Sequence, residues 1–239
     1  MFYYRPADER GHTKIDWLDS YHTFSFGQYY DPGFMGFSAL RVINDDVVAP
    51  GKGFGTHPHD NMEIISVVLS GELEHKDSMG NGSIIKAGEV QKMTAGSGVS
   101  HSEFNPSQKH PVHFLQIWII PNMEDLKPSY EQKKFAAASS KNKLGLIVSP
   151  DGKDGSIQIH QDASIYRCFL NNGKKVSHKI TPERAVWVQM TGGVVEVNGN
   201  RLEEGDGLGV FAEKNTLEIT GIDKESSFLL FDLEKPTRA

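Results

Sequence analysis

Cysteine is nearly absent from the 239 residues, with Cys168 standing alone. No intrachain disulfide can form and no thiolate cluster can hold a metal, so any metal here must be held by imidazole and carboxylate. Cys168 itself reads as a small buried apolar residue. Long hydrophobic runs are also missing. None approaches the roughly 20 residues of a membrane-spanning helix, so no membrane partner is expected. The opening Met-Phe-Tyr-Tyr-Arg-Pro passes straight into polar sequence, without the apolar stretch of a signal peptide. That predicts a cytoplasmic protein. Positive charge is in short supply too: 25 Lys and Arg against 31 Asp and Glu give a formal net charge of -6. The basic residues are scattered rather than striped, so direct nucleic-acid binding is not expected. An acidic surface leaves binding to another protein open.

Short strand-like stretches are abundant. Phe37–Ile43, Met62–Leu69, Val112–Ile120, Ala185–Met190, Val194–Val197 and Ser227–Asp232 are rich in β-branched and aromatic residues with local alternation. Asn81-Gly82 and Asn198-Gly199 lie between such runs, where hairpin turns fall. Many short strands without a regular helical pattern predict an all-β barrel or sandwich. The halves echo each other, since Leu69-Ser-Gly-Glu72 and Ala87-Gly-Glu89 have counterparts in Met190-Thr-Gly-Gly193 and Glu204-Gly-Asp206. Two copies of one β-unit fit this repetition. Between them a polar, Ala/Ser-rich stretch reads as a linker with a short helical turn. The predicted organisation is a first barrel over 1–125, a linker over 126–144 and a second barrel over 145–239.

Thr56-His57-Pro58-His59 and Ser100-His101-Ser102-Glu103 carry the chemistry. Residues i and i+2 of a strand share a face, so each pair aims two donors to one side. On facing strands, His57, His59, His101 and Glu103 can surround one point. Imidazole and carboxylate suit divalent iron, manganese, nickel, copper or zinc, and open positions on the metal would admit a substrate. Gly51, Gly53, Gly55, Gly96 and Gly98 flank the pairs, as tight backbone turns around a site require. Glu63 is a second carboxylate with the parity expected to face the barrel interior.

The pattern from Gly51 through His57-X-His59 to Glu63 resembles the first cupin motif, and Gly88 through His101 to Asn105 resembles the second. Thr94 stands where proline is usual. The runs Asp19–Phe26, Gly36–Asp45, His57–His59 and Thr94–Glu103 look like the pirin family, with the match diffuse beyond the first half. The length is similar to that of its bacterial quercetin 2,3-dioxygenase-like members. The resemblance implies two tandem cupin (jelly-roll) barrels and a metal, Fe(2+) first among the candidates, held by His57, His59, His101 and Glu103. Glu63 is then expected to orient a ligating imidazole.

Aligning the repeat glycines places His178, Ile180, Glu218 and Thr220 at the corresponding positions of the second half, a set that cannot chelate. The second barrel is expected to hold no metal. His12, His22, His75, His110, His113, His160 and His178 are expected to be structural, and Trp17, Trp118 and Trp187 to be core. The resemblance implies a dioxygenase that cleaves a flavonol such as quercetin with O2, Glu103 taking the proton of the substrate hydroxyl. It implies as the alternative an iron-dependent regulatory module docking on a protein partner, and more weakly a cupin isomerase. The chain is expected to be a monomer.

Overall fold

The computed structural model describes residues 2–211 and 216–235. Two β-barrels, each of one seven-stranded and one four-stranded sheet, stand against each other. In the first, the large sheet runs Ser129–Lys134, Glu89–Thr94, Glu63–Ser70, Val112–Ile119, Leu40–Val48, Leu18–His22 and Gly11–Ile15. The small sheet runs Gly53–His59, Val99–Phe104, Glu72–Asp77 and Gly82–Lys86. The second barrel repeats the plan, with Ala163–Asn171, Glu225–Glu234 and Arg184–Gly192 at the centre of its large sheet. Among the described residues no helix is long and apolar enough to cross a membrane.

The two large sheets pack back to back. Ile43, Ile65, Val67, Leu115, Ile117 and Ile119 of the first meet Ile165, Trp187, Leu229, Phe231 and Leu233 of the second in one continuous buried cluster. Burying each such side chain contributes roughly 1.5–3 kcal/mol, so this seam is as much a core as either barrel interior. Their neighbours in sequence point the other way, into the barrel: Ile64 packs with Met93 and Val99, and Val68 and Phe114 pack with Leu73 and Ile85. Strands buried on both faces read as continuous apolar runs, which is why Glu63–Ser70 shows little alternation.

Three local expectations change. The stretch 126–144 is not simply a linker: Ser129–Lys134 is an edge strand registered on Glu89–Thr94. Its Glu, Gln and Lys content suits a strand with one side unpaired, and the same content hid it in the sequence. Ala137–Ser139 forms the short helical turn. At the other end, Phe2–Arg5 pairs with Gly207–Phe211 and so belongs to the second barrel's sheet, although its residues fall within 1–125. Of the two Asn-Gly turns, Asn198 (φ 46°) and Gly199 (φ 84°) connect adjacent strands as a two-residue turn with both φ positive. Asn81 instead ends a longer loop organised by Asp77, whose Oδ1 accepts from the backbone N–H groups of Met79 and Asn81.

Candidate metal centre

The strands Gly53–His59 and Val99–Phe104 pair antiparallel with His101 opposite His57 and Val99 opposite His59. The register shifts between His101 and Glu103, where Glu103 faces Phe54, so the first strand carries an extra residue. A bulge of this kind re-aims a side chain. The His57 Nδ1–H donates to the carbonyl of Gly55 inside the bulge, 2.8 Å away. Gly53 is required there, because a Cβ would collide with the backbone of Glu103 and Phe104.

This geometry gathers His57, His59 and His101 so that one ring nitrogen of each lies within 4.8 Å of the others. Ring centroids are 4.5 Å apart for His57 and His101, 4.8 Å for His57 and His59, and 4.9 Å for His59 and His101. Glu103 enters a second group of the same tightness with His101 and His75, so His101 is common to both. His101 is 1% exposed and Glu103 is 2% exposed. Burial, reinforced by the neighbouring imidazoles, pushes the His59 pKa down to about 4 and that of His101 down to about 3. Both rings are therefore neutral at pH 7, the form that can donate a lone pair to a cation.

The hydrogen bonds choose which nitrogen does so. His75, 0% exposed, donates from Nε2 to Asp77 Oδ2 at 3.2 Å, which leaves its Nδ1 as an acceptor. His101 Nδ1 lies 3.5 Å from that atom. His101 is thereby oriented with Nε2 free, and this buried nitrogen has no hydrogen-bond partner. The Gly55 bond leaves His57 Nε2 free in the same way. A buried acceptor without a partner is costly unless something fills the position. Three convergent imidazoles with a carboxylate at hand fit a divalent transition metal on donor chemistry alone.

Glu103 is held from behind. Ser66 donates to Oε1 at 3.1 Å and Gln116 donates to Oε2 at 2.6 Å, while Ser66 Oγ and Gln116 Oε1 lie 3.2 Å apart. Ser66, between Ile64 and Val68 on the same face of its strand, points into the barrel interior. Glu63, three residues earlier, faces the opposite side, so it orients no imidazole of the cluster as the sequence reading expected. Its carboxylate, 0% exposed, accepts from Thr94 Oγ1 at 3.0 Å and from His160 Nδ1 of the second barrel at 2.9 Å. Thr94 in turn accepts from the buried Lys92 at 3.0 Å. His160 thus has a structural role, as expected, and it bridges the two barrels.

Beside the donors is a cavity of about 50 Å³. Phe26, Phe54 and Trp118 line it together with the polar Asn44, Asp46 and Gln116. Trp118 packs edge-on to His59 at 4.9 Å, so it borders the site as well as the core. Asp46 is 3% exposed, and burial with help from the Glu103 charge raises its pKa to about 7. Tyr130, from the edge strand, stacks on His75 at 4.9 Å. The sequence spacing does not single out His75, Ser66, Gln116, Asp46 or Tyr130. The strand ladder does for three of them: His75 is opposite Glu103, and Ser66 is opposite Gln116.

The corresponding end of the second barrel is built differently. His178 donates to Asp232 at 2.7 Å, and Arg184 donates to the same carboxylate at 2.7 Å. Glu218 is exposed, Ile180 is buried, and the interior is packed with Val186, Val188, Leu217, Ile219 and Phe228. His12 and His113 bond to Asp19 and Asp45, and His22 to Asn44, in structural roles.

The family profile described as Pirin matches residues 4–119, and that of the quercetinase C-terminal cupin domain matches residues 146–233. A protein of Escherichia coli (strain K12) named quercetin 2,3-dioxygenase is 51% identical over 233 residues, covering 98% of this chain and 99% of that one. A pirin-like protein of Caulobacter vibrioides is 37% identical over 229 residues, covering 95% of this chain and 97% of that one. The crystal structure of the Escherichia coli bacterial pirin YhhW in complex with nickel(II) superposes with a TM-score of 0.94 at 49% identity, covering 99% of this chain and 100% of that one.

Proposed function

The chain belongs to the pirin family, and from that premise we propose that it is a metal-dependent dioxygenase cleaving a flavonol such as quercetin with O2. His57, His59, His101 and Glu103 hold one divalent transition metal, with iron as the ion expected in the cell. The observation that carries this reading is the unpartnered Nε2 of buried His101, facing two further imidazoles. When bound, the metal supplies Lewis acidity and a template for two ligands.

The residues of the chain do the rest. His75 and the Gly55 carbonyl fix the tautomers of His101 and His57, and Ser66 and Gln116 fix the carboxylate plane of Glu103. Glu103 takes the proton of the flavonol hydroxyl, which a carboxylate within hydrogen-bond reach can do. At about 50 Å³ the cavity has room for one or two waters, each filling about 30 Å³. A flavonol therefore presents only its hydroxyl-keto edge to the donors and rests its rings on Phe26, Phe54 and Trp118. These side chains keep bulk water from the reacting edge.

The test is loss of flavonol absorbance by freshly purified protein whose metal has been measured. Turnover should need O2 and vanish in His101→Ala. Glu103→Ala with metal retained and wild-type turnover would remove Glu103 from the base role. No turnover by the metal-loaded wild type would reject the flavonol.

A further inference from the structure

A second cavity, of about 200 Å³, lies between the two barrels and away from the histidines. Its walls are apolar on the first barrel, from Val67 and Leu69, and mixed on the second, from Phe169, Leu229 and the hydroxyl residues Thr191 and Ser227. Arg167 also lines it. This arginine is 6% exposed, and its Nε is buried with no hydrogen-bond partner. Nη1 donates to the carbonyl of Gly88 at 3.3 Å and Nη2 to that of Phe135 at 3.0 Å. Two neutral carbonyls occupy two of the five N–H donors and balance none of the charge.

Arg41, half-buried, also donates only to a carbonyl, that of Ser25, but other arginines have carboxylate partners. Arg5, 2% exposed, has Asp31 at 3.2 Å; Arg10 has Asp45 at 3.1 Å; Arg184 has Asp162 and Asp232, both at 2.7 Å. Among the described residues no carboxylate lies within 4.0 Å of Arg167. Burying a charge without a counter-ion is expensive, and a guanidinium matches a carboxylate with two parallel hydrogen bonds. Thr191 donates to Ser227 at 2.8 Å, which leaves the Ser227 hydroxyl hydrogen available at the same wall.

We propose that the cavity between the barrels binds a small organic carboxylate, with Arg167 pairing the anion, Ser227 donating to it, and Val67, Leu69, Phe169 and Leu229 enclosing its hydrocarbon part. The volume is below the 300–1,000 Å³ of drug-sized sites, which limits the ligand to about the size of benzoate. The site is separate from the metal centre, and neither proposal depends on the other.

Isothermal titration of the metal-loaded protein with sodium benzoate tests this, with benzyl alcohol as the neutral control. Benzoate should bind saturably and benzyl alcohol should not. Binding should persist in His101→Ala, which excludes the metal as its seat, and weaken at least tenfold in Arg167→Met. Leu69→Trp, which fills the space and leaves the arginine in place, should block it too and covers the case in which Arg167→Met fails to fold. The proposal is overturned by absent benzoate binding, by its loss in His101→Ala, or by wild-type affinity in a folded Arg167→Met or in Leu69→Trp.

Discussion

The carboxylate of Glu63 and the imidazole of His160 meet across the seam between the barrels, 2.9 Å apart. The pair is 97 residues apart in sequence and joins the two domains. In Glu63→Ala, buried Thr94 and the partly exposed His160 lose their acceptor. Stability should fall by about 1–3 kcal/mol in urea unfolding, with the metal content by elemental analysis unchanged. Loss of metal at full stability would instead make Glu63 a ligand.

Gln116→Leu removes the donor 2.6 Å from Glu103 Oε2. The carboxylate then depends on Ser66 alone for orientation. Metal affinity, read by competition with a chelator, should drop about 10–100-fold.

His75→Leu should act in the same direction through a different atom. It strips His101 Nδ1 of its acceptor and frees the ring to turn. Affinity should fall about tenfold or more, and Asp77→Asn, one step further back, should give a smaller loss of the same sign.

Asp46 sets a pH dependence in the metal-free protein. Its folded pKa is about 7, against about 3.9 for an unperturbed aspartate. Between those values the folded state keeps a proton that the unfolded chain has released, so raising the pH favours unfolding. The contribution of Asp46 is complete below about pH 4 and is lost as pH rises through about 7. Asp46→Asn imitates the protonated form and should flatten that slope, gaining ~1–3 kcal/mol over wild type at pH 8. Parallel denaturation curves at pH 5 and pH 8 read the difference directly.

The three imidazoles were legible in the sequence because the two-residue period of a strand is a local property. His57, His59 and His101 need only their own strands and one ladder to converge. Glu63 was misread for a physical reason: both faces of Glu63–Ser70 are buried, so hydrophobicity does not reveal which face meets the barrel interior. His75, Ser66 and Gln116 reach Glu103 through strand register, which depends on how distant segments pair. The edge strand Ser129–Lys134 was hidden by its own solubility, since an unpaired edge is charged where an inner strand is apolar. The barrels and the repeat showed clearly. The addition of Phe2–Arg5 to the second barrel's sheet did not, because nothing in Phe-Tyr-Tyr-Arg names its distant partner.

That strand ties the two barrels together. Phe2–Arg5 is made long before its ladder partner Gly207–Phe211. The second barrel's large sheet, as a fragment starting at residue 145, would expose the edge of Gly207–Phe211 that those four residues cover. An open edge of this kind invites pairing with another chain. The boundary between the barrels is therefore a poor place to cut: the protein is divisible in architecture and indivisible in assembly.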